Sequence, residues 1–447
     1  MLLDFITIDR SEKGEFYHRL YEKLKAAVEN GAIKKGEKLP SIRQAAEQLG
    51  VSRTTVENAY MRLCIEGIAE SLPQRGYFIT GNTAKASAEE SLLLPDERSF
   101  RYDFSSRKID KTSADTELWK KLVRGVLTNS DALISYGNPQ GEPSLRKALA
   151  EYCYKARGVN AAPENIVIGA GITPLLNILC GIVGRNVCVG LEGGFKTAEN
   201  IFRDYGIEAH CLECDQNGAV TDKINGDMNF LFLQPATLSK ISVTALSKRR
   251  SELKEWVERE NRIIVEDDYN GELRYTARSL PAFQSKAPER TVYIGSFSKL
   301  LLPSVRIAYM VLPPVLAEKF RAREGFNPTC GKVEQLALTE YILSGALEKH
   351  LRRLRRLYYA KSQLLCATLS EKIDGEKEIV LYETMLTVEL RTAVCAESRE
   401  ICDRLARRGI RVMPSPHKGA VRLSFAGIEA TDIPDAVEIL AGELKNF

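Results

Sequence analysis

The chain has 447 residues, which is long for one ordinary domain and predicts two or three. Its 44% hydrophobic and 27% charged residues are typical of a globular protein, and its net charge of +4 excludes a polycation that binds nucleic acid through bulk charge alone. No apolar run reaches the ~18 residues of a membrane span, and the N-terminus lacks a signal-peptide layout. With ten cysteines scattered through apolar stretches, these features predict a cytoplasmic protein with reduced thiols.

Three short helices and a hairpin are predicted within the first eighty residues. Apolar side chains recur at helical spacing over residues 16–28, and Ser41 and Gln44 have the spacing of a capping box that opens a second helix. Ser52 can cap a third helix, and two β-prone stretches, residues 68–71 and 77–80, flank a turn. Together these elements predict a winged helix-turn-helix.

A winged helix-turn-helix brings the N-terminal residues of its third helix to the base edges of the major groove. Other basic residues can reach phosphates, and the tip of the hairpin can lie over the minor groove or the backbone. On this interpretation the DNA-binding residues are Arg43, Arg53, Thr54, Thr55, Arg75 and Gly76. The alternative is a three-helix packing module whose arginines are merely solvated.

The same region resembles a known family. Residues 39–56, from Leu-Pro-Ser-Ile-Arg to Ser-Arg-Thr-Thr-Val, and residues 66–78, from Glu-Gly to Arg-Gly-Tyr-Phe, closely resemble the GntR family of bacterial regulators. The resemblance implies that residues 1–80 form a domain that binds double-stranded DNA. Residues 81–101 are polar with small side chains, which predicts a linker between this domain and the next.

Short apolar strands alternate with helical segments beyond about residue 130. The predicted strands span residues 166–168, 187–191, 230–233, 263–265 and 292–294. Helices are predicted between them, for example at 175–182 and 246–260. This alternation is typical of an α/β layer with a mostly parallel sheet, in which ligands bind beyond the carboxyl ends of the strands.

The residues that follow these strands carry the candidate chemistry. After the first strand, small residues let backbone N–H groups approach a phosphate at a helix N-terminus, although the same pattern also suits a plain tight turn. This candidate phosphate turn consists of Ala170, Gly171, Ile172 and Thr173. Asp267 can hold the protonated ring nitrogen of pyridoxal phosphate, and Tyr269 can bond its phenolic oxygen. Lys299 can form the Schiff base with the cofactor aldehyde, while Ser296 and Arg306 can bind its phosphate.

This set of residues resembles the fold-type-I aminotransferases in order and in spacing, since Lys299 lies 32 residues beyond Asp267. The resemblance implies that Phe195 stacks on the pyridine ring and that Tyr136, in a Tyr-Gly-Asn-Pro segment, enters the neighbouring subunit's site. It also implies that Arg422 grips the α-carboxylate of an amino-acid effector, because a guanidinium binds a carboxylate through two hydrogen bonds.

A GntR-type head joined to an aminotransferase-like domain resembles the MocR/GabR subfamily. Its members are dimers in which each head lies against the other chain's large domain, and they sense pyridoxal phosphate, sometimes with an amino acid. The resemblance implies a multidomain homodimer that binds operator DNA. Its large domain, residues 102–447, is expected to have the α/β aminotransferase fold with a small α+β subdomain from about residue 330.

Two departures from the family pattern concern catalysis and the effector. Aminotransferases carry an Asn-Pro segment that ends in Pro-Thr-Gly, whereas residues 234–242 here read Gln-Pro-Ala-Thr-Leu-Ser-Lys-Ile-Ser, which argues against a productive enzyme. The GABA-responsive member has a second carboxylate-binding arginine where this chain has Thr197 beside Lys196. We therefore expect the effector to be a different amino acid or pyridoxal phosphate itself.

Three functions are compatible with these residues. The first is a regulator that alters its grip on DNA when it binds pyridoxal phosphate. The second is an aminotransferase with a residual DNA-binding head, and the third is a regulator whose large domain only dimerises it. The altered Asn-Pro segment favours the first over the second, and the retained Asp267, Lys299 and Arg422 favour it over the third.

Two further motifs carry weaker signals. Residues 350–356 are densely basic, and we interpret them as a solvated face of a long helix in preference to an extra DNA contact. Cys211 and Cys214 form a C-x-x-C pair beside His210, but the sequence offers no second ligand pair at a suitable spacing for zinc. The sequence therefore predicts no metal site.

Overall fold

The computed structural model describes residues 16–73, 75–80, 100–105, 108–128, 133–238, 243–259, 262–275 and 281–445. It divides into two compact units, Met1–Arg98 and Ser99–Phe447. Of the linker predicted at 81–101, only residues 100 and 101 are described. Within the described residues, no helix is both long and apolar enough to cross a membrane.

The first unit consists of three helices followed by a two-stranded hairpin, as the sequence predicts. The elements are α1 Phe16–Glu29, α2 Ile42–Leu49, α3 Arg53–Ile65, β1 Ala69–Leu72 and β2 Gly76–Ile79. The strands pair antiparallel from Ala69 opposite Ile79 to Leu72 opposite Gly76. Each strand is displaced by one residue from its predicted position, which lies within the usual uncertainty of element ends.

The predicted helix caps are present in this unit. The Oγ of Ser41 accepts a hydrogen bond from the backbone N–H of Gln44, and the Gln44 side chain accepts one from the backbone N–H of Ser41. The Oγ of Ser52 likewise accepts from the backbone N–H of Thr55 at 3.1 Å. These bonds satisfy N–H groups that a helix leaves unpaired at its start. Beneath them, the apolar faces of the helices meet in a core around Leu24, Tyr60 and other buried side chains.

The second unit contains the remaining strands and α-helices of the described residues. Its strands are β3 Tyr102–Asp103, β4 Ile166–Gly169, β5 Cys188–Leu191, β6 Glu208–Cys211, β7 Cys214–Asp215, β8 Gly218–Ala219, β9 Phe230–Leu233, β10 Ile263–Asp267, β11 Thr291–Ser296, β12 Ala308–Val311, β13 Lys377–Tyr382, β14 Thr387–Thr392, β15 Ile410–Arg411, β16 Met413–Pro414 and β17 Ala420–Ser424. Its helices are α4 Thr116–Leu127, α5 Pro143–Arg157, α6 Ile172–Val183, α7 Lys196–Asp204, α8 Val243–Val257, α9 Pro314–Ala322, α10 Lys332–Leu343, α11 Ala346–Lys372, α12 Ser398–Arg407 and α13 Ile433–Leu444.

A seven-stranded sheet with the order β4-β12-β11-β10-β9-β5-β6 forms the centre of this unit. All its neighbouring strands run parallel except β12, which is antiparallel to both β11 and β4. Side chains alternate between its faces, so that Ile263 and Val265 join one apolar cluster while Ile264 joins another. Burial on both faces explains the nearly continuous apolar runs of the predicted strands.

A smaller sheet of order β13-β14-β17-β16 packs with α12 and the long helix α11, and α13 packs against these two helices. The predicted small α+β subdomain is therefore present. The basic stretch 350–356 lies within α11, where His350 is buried and the Arg355 Nε donates to the backbone oxygen of Glu272 at 2.7 Å. Arg353 pairs with Asp115 at 3.3 Å. The stretch therefore lies on a long helix, as interpreted from the sequence, and part of it also packs within the large unit.

Candidate functional site

A cavity of about 600 Å³ opens beyond the carboxyl ends of β10 and β11, where parallel sheets commonly bind ligands. It collects most of the cofactor residues predicted for the large unit. The predicted residues that line it are Gly171, Ile172, Phe195, Asp267, Tyr269, Ser296, Lys299, Arg306 and Arg422. Side chains that we did not predict also line it, among them Gln234 and Thr237.

Asp267 is the last residue of β10 and is 5% exposed. Burial raises the pKa of its carboxyl group to about 7, and the nearby Asp268 acts in the same direction, whereas the hydrogen bond from Gln234 opposes the rise. The Nε2 of Gln234 donates this bond to Oδ2 of Asp267 at 3.0 Å. A buried carboxyl group with a raised pKa gains most from a cationic partner, because a nearby positive charge restores its ionised form.

A buried ion pair fixes the end of β10 directly behind Asp267. The Nε of Arg157, at the end of α5, donates to Oδ2 of Asp268 at 2.6 Å, and the hydroxyl group of Tyr293 donates to the same oxygen at 3.0 Å. Although desolvation opposes it, Arg157 holds the pKa of Asp268 below its usual value. Asp268 is therefore an ionised structural residue, and its neighbour Asp267 is the carboxyl group that faces the cavity.

Lys299 follows β11 and is 6% exposed. Its Nζ donates to the backbone oxygen of Lys108 at 3.0 Å. Burial lowers the pKa of its amine to about 8, because the low-dielectric surroundings disfavour the ammonium form. About a tenth of the amine is therefore neutral at pH 7, far more than for an ordinary lysine, and the neutral form is the one that attacks a carbonyl carbon.

The N-terminus of α6 and Arg306 together form a cradle suited to an anion. Gly171 precedes this helix with a φ of 114°, and among the described residues no side chain caps it. A Cβ atom at Gly171 would lie 2.6 Å from the Nη2 of Arg306, so only glycine leaves room for the guanidinium group. Arg306 itself has a φ of 51° and donates to the backbone oxygen of Ala170 at 3.3 Å. Helix N–H groups and a guanidinium are what a phosphate binds.

The remaining predicted residues of this turn and of the lysine loop lie at the same edge. Thr173 is exposed in the first turn of α6, and Ser296 donates from its hydroxyl group to Ser298 Oγ at 3.1 Å. Phe195 packs nearly parallel to Phe232, with ring centroids 6.0 Å apart. Burial raises the pKa of the Tyr269 hydroxyl to about 12, which keeps it protonated as a hydrogen-bond donor at neutral pH.

Arg422 reaches the cavity from β17 of the small sheet. Its Nε donates to Oε2 of Glu389 at 2.6 Å, and the Nε of Arg391 donates to Oε1 of the same carboxylate at 2.7 Å. Glu389 lies on β14 directly opposite Arg422 and is fully buried. Glu389 was not predicted from the sequence, although it lies two residues before Arg391, a spacing that places both side chains on one face of a strand.

Tyr136 does not line this cavity and is fully exposed in the single chain. Its assignment to a neighbouring subunit's site stays a prediction. Gln234 and Lys108 were missed as partners of Asp267 and Lys299. For Gln234 the available signal was its position immediately after β9, next to β10 in the sheet.

The predicted DNA-binding residues lie on the surface of the first unit. Arg53 and Thr54 are exposed in the first turn of α3, while Thr55 also bonds Ser52 through its hydroxyl group at 2.8 Å. Arg43 is exposed on α2 and pairs with Glu47 at 3.0 Å. At the hairpin, Gly76 has a φ of 98° and the guanidinium of Arg75 lies 5.7 Å from the ring centroid of Phe78. Arg43, Arg53, Thr54 and Arg75 are thus exposed, as contact with DNA requires, whereas Thr55 and Gly76 are half-buried.

Two family models match the chain, and together they cover most of it. Residues 16–79 match the bacterial regulatory proteins of the gntR family, and residues 102–440 match the aminotransferases of class I and II. The uncharacterized HTH-type transcriptional regulator YdeL of Bacillus subtilis (strain 168) is 31% identical over 96% of both chains. The probable rhizopine catabolism regulatory protein MocR of Rhizobium meliloti is 28% identical over 97% of this chain and 95% of its own.

Solved structures give the fold of the large unit. The kynurenine aminotransferase of Pyrococcus horikoshii superposes with a TM-score of 0.67 at 21% identity, over 78% of this chain and 92% of its own. At this identity the likeness concerns the fold alone. Its agreement with the family model over residues 102–440 confirms the predicted aminotransferase fold. The chain therefore belongs to the MocR/GabR subfamily of GntR-type transcriptional regulators, in which a helix-turn-helix domain is fused to an aminotransferase class I and II domain.

Proposed function

We propose that this transcriptional regulator binds pyridoxal 5'-phosphate in the cavity of its large domain and that this binding controls its affinity for operator DNA. One observation carries the proposal. A single cavity of about 600 Å³ contains a buried lysine whose pKa is lowered to about 8, a buried carboxyl group whose pKa is raised to about 7, and an anion cradle at a helix N-terminus. Pyridoxal phosphate has one complementary group for each: an aldehyde, a basic ring nitrogen and a phosphate.

When bound, pyridoxal phosphate supplies an electrophilic aldehyde conjugated to an electron-withdrawing ring. Lys299 is the amine that would attach it, and Asp267 would hold the proton on the ring nitrogen. Gly171, Arg306 and Ser296 would bind the phosphate, with Ala170, Ile172 and Thr173 forming the rest of that turn. Phe195 would cover one face of the ring, and the Tyr269 hydroxyl would donate a hydrogen bond to the phenolic oxygen.

Arg422 is the proposed contact for the α-carboxylate of an amino-acid effector. Glu389 accepts the hydrogen bond from the Nε of Arg422. The two terminal amino groups of Arg422 can therefore donate to a second carboxylate. Arg391 also pairs with Glu378 at 2.9 Å, so the two carboxylates balance the two guanidinium groups, and an incoming α-carboxylate is bound through the terminal amino groups of Arg422. An α-amino acid presents such a carboxylate beside the amine that reacts at the aldehyde.

An aminotransferase with a residual DNA-binding head is the second candidate function. Lys299, Asp267 and Arg422 in one cavity favour it, since they are the minimum set for at least one half-reaction. Against it stands Gln234, which follows β9 where aminotransferases carry an asparagine and whose amide is bonded to Asp267. We therefore infer a sensor that does not turn over productively.

The proposed assembly is a homodimer that acts on DNA in the cytoplasm. Leu133, Ile134 and Tyr136 form an exposed segment of apolar and aromatic side chains, which a second copy of the chain would cover. The DNA-binding head comprises residues 1–80, with Arg43, Arg53, Thr54, Thr55, Arg75 and Gly76 as its contacts. Residues 81–101 form the linker, and residues 102–447 form the cofactor-binding and dimerisation domain.

Absorbance spectroscopy and peptide mapping by mass spectrometry test the cofactor proposal. We expect cofactor-free protein to acquire a visible band with pyridoxal phosphate, and borohydride reduction to leave a stable adduct on the peptide that contains Lys299. Lys299→Ala should lose both, whereas Lys286→Ala, at an exposed lysine outside the cavity, should keep both. An adduct on another residue, or an unchanged band in Lys299→Ala, would contradict the site.

Experiments with amino acids and with DNA distinguish a sensor from an aminotransferase. In a sensor, a panel of D- and L-amino acids shifts the band without conversion to pyridoxamine phosphate, and cofactor loading changes affinity for DNA upstream of the regulator's own or neighbouring genes. Conversion by an amino acid and recovery with a keto acid would favour the aminotransferase. Equal DNA affinity with and without cofactor would overturn the regulatory coupling.

A further inference from the structure

Three side chains with different donor atoms meet at the edge of the large sheet. In the parallel pair β5–β6, Cys188 lies beside Glu208 and Gly190 lies beside His210. The ligand atoms of Cys188, Glu208 and His210 all lie within 4.8 Å of one another. The shortest separation is 2.7 Å, between Nε2 of His210 and Oε1 of Glu208. This sheet register therefore gathers a sulfur, a nitrogen and an oxygen donor from two neighbouring strands.

We propose that Cys188, Glu208 and His210 bind a divalent metal ion of the zinc type, with the fourth position open to water. Thiolate, imidazole and carboxylate are the three protein donors that Zn²⁺ uses, whereas Mg²⁺ and Ca²⁺ prefer oxygen donors throughout. Three protein ligands with one open position make a site that exchanges its ion more readily than a closed four-ligand structural site.

The distances between the three ligand atoms suit zinc after a small rotation of side chains. Zinc–ligand bonds of about 2.0 to 2.3 Å in a tetrahedron bring neighbouring donor atoms to about 3.4 to 3.6 Å from one another. The side chains of Glu208 and His210 are 70% and 47% exposed, so both can rotate to close the remaining ångström or so around an ion. Cys188 is half-buried against the apolar cluster that contains Leu212 and Met228, and it provides the fixed side of the site.

The electrostatic surroundings favour a cation. The carboxylate groups of Glu208 and Asp227 both lie close enough to the Cys188 thiol to act on it electrostatically. A bound divalent ion would offset both negative charges and stabilise the thiolate. Asp227 adds negative charge beside Cys188, as the groups around a metal site commonly do.

The proposed site is separate from the cofactor cavity. Cys188 and Glu208 are the first residues of β5 and β6, whereas the cavity lies beyond the carboxyl ends of the strands. None of the three ligands lines the cavity. The C-x-x-C motif is not part of the proposed site. Cys211 follows His210 along β6, so its side chain points to the opposite face of the sheet. The prediction of no metal site rested on the spacing of Cys211, Cys214 and His210 along the sequence and did not treat Cys188 as a ligand.

Binding at this position would tie an edge strand to the sheet. β6 is the terminal strand of the seven-stranded order, so β5 is its only neighbour in that described sheet. An ion held by residues of both strands binds the folded state alone and therefore raises its thermal stability. We expect chelator treatment of loaded protein to lower the melting temperature by several degrees and added Zn²⁺ to restore it.

Cobalt titration of the full-length, reduced, chelator-treated protein tests the site directly. We expect one Co²⁺ per chain, a near-ultraviolet thiolate-to-cobalt charge-transfer band, and displacement of Co²⁺ by Zn²⁺. Cys188→Ala should abolish the band, and His210→Ala should weaken binding by at least tenfold. Because His210 is half-exposed, its replacement tests the proposal even if Cys188→Ala fails to fold.

Cys214→Ser serves as the matched control, since this thiol lies on β7 and donates to the backbone oxygen of Leu212 at 3.4 Å. It should retain the band and the affinity. Loss of the band in Cys214→Ser with its retention in Cys188→Ala would assign the ion to the C-x-x-C pair and overturn the proposal. Absence of stoichiometric Co²⁺ binding would overturn it as well. Neither outcome depends on the cofactor, which is assayed separately through Lys299.

Discussion

Gln234 donates a hydrogen bond to Asp267 over 3.0 Å, across the adjacent carboxyl ends of β9 and β10. The amide that stands where aminotransferases carry their asparagine is thus engaged with the acid proposed to hold the ring nitrogen. This bond opposes the rise of the Asp267 pKa that burial causes. The departure from the aminotransferase pattern at Gln234 therefore bears directly on the pKa of Asp267, which this regulator retains.

The cofactor-free protein should lose stability as pH rises from about 4 to about 7, in part because of Asp267. Its folded-state pKa of about 7 lies above the unfolded value, so the folded state binds more protons in this window and each rise in pH favours unfolding. The contribution is at most about 4 kcal/mol. Urea denaturation at several pH values measures it.

Asp267→Asn is the comparison for this measurement, because burial also raises the pKa of Glu272 to about 7 and that of Glu266 to about 6. The difference between wild type and variant isolates the Asp267 contribution. Parallel stability profiles for the two proteins would contradict the raised pKa. Saturation with pyridoxal phosphate should reduce the difference in slope, since a cationic ring nitrogen restores the ionised carboxylate.

The rate of pyridoxal phosphate capture should rise with pH and level off above about 8. The reason is the lowered pKa of Lys299, whose neutral amine is the attacking species. Stopped-flow absorbance on cofactor-free protein measures this rate, with Lys299→Ala as the blank. A rate that keeps rising towards pH 10 would indicate an amine with the ordinary lysine pKa.

Replacing Arg157 with Met should destabilise the large domain by about 3 to 5 kcal/mol, because it leaves the buried Asp268 carboxylate without its charge partner. Chemical denaturation monitored by tryptophan fluorescence measures the change. The control is Lys418→Met, which removes an exposed ion pair with Glu397 and should leave stability almost unchanged. Equal effects of the two substitutions would contradict the structural role of the buried pair.

Arg53→Ala should weaken binding to the regulator's target DNA by about ten- to a hundredfold, the range expected for one base-contacting arginine, roughly 1 to 3 kcal/mol. Arg53 is exposed in the first turn of α3, where a recognition helix meets base edges. Fluorescence anisotropy at fixed salt measures the affinity. Arg399→Ala, an exposed arginine of α12 in the other unit, should bind as the wild type does. Unchanged specific binding by Arg53→Ala would refute the recognition-helix assignment.

The amino-acid sequence by itself determined the elements and the residues at their ends. Capping by Ser41 and Ser52, the apolar strands of the sheet, and the positions of Asp267 at the end of β10 and Lys299 after β11 all follow from local chemistry. Helix caps and strand periodicity involve residues a few positions apart, so a linear pattern carries them. The resemblance to the GntR family and to the aminotransferases then predicted a DNA-binding head followed by an aminotransferase-like domain.

Only the tertiary structure decided which side chains meet. Gln234 reaches Asp267 across 33 residues, Arg422 meets Glu389 across 33, and Lys299 meets the Lys108 backbone across 191. Cys188 joins His210 because β5 and β6 pair in one particular register. Periodicity in a sequence states which face of a strand a residue occupies, but strand order and register depend on packing of the whole core, and these contacts follow from that packing.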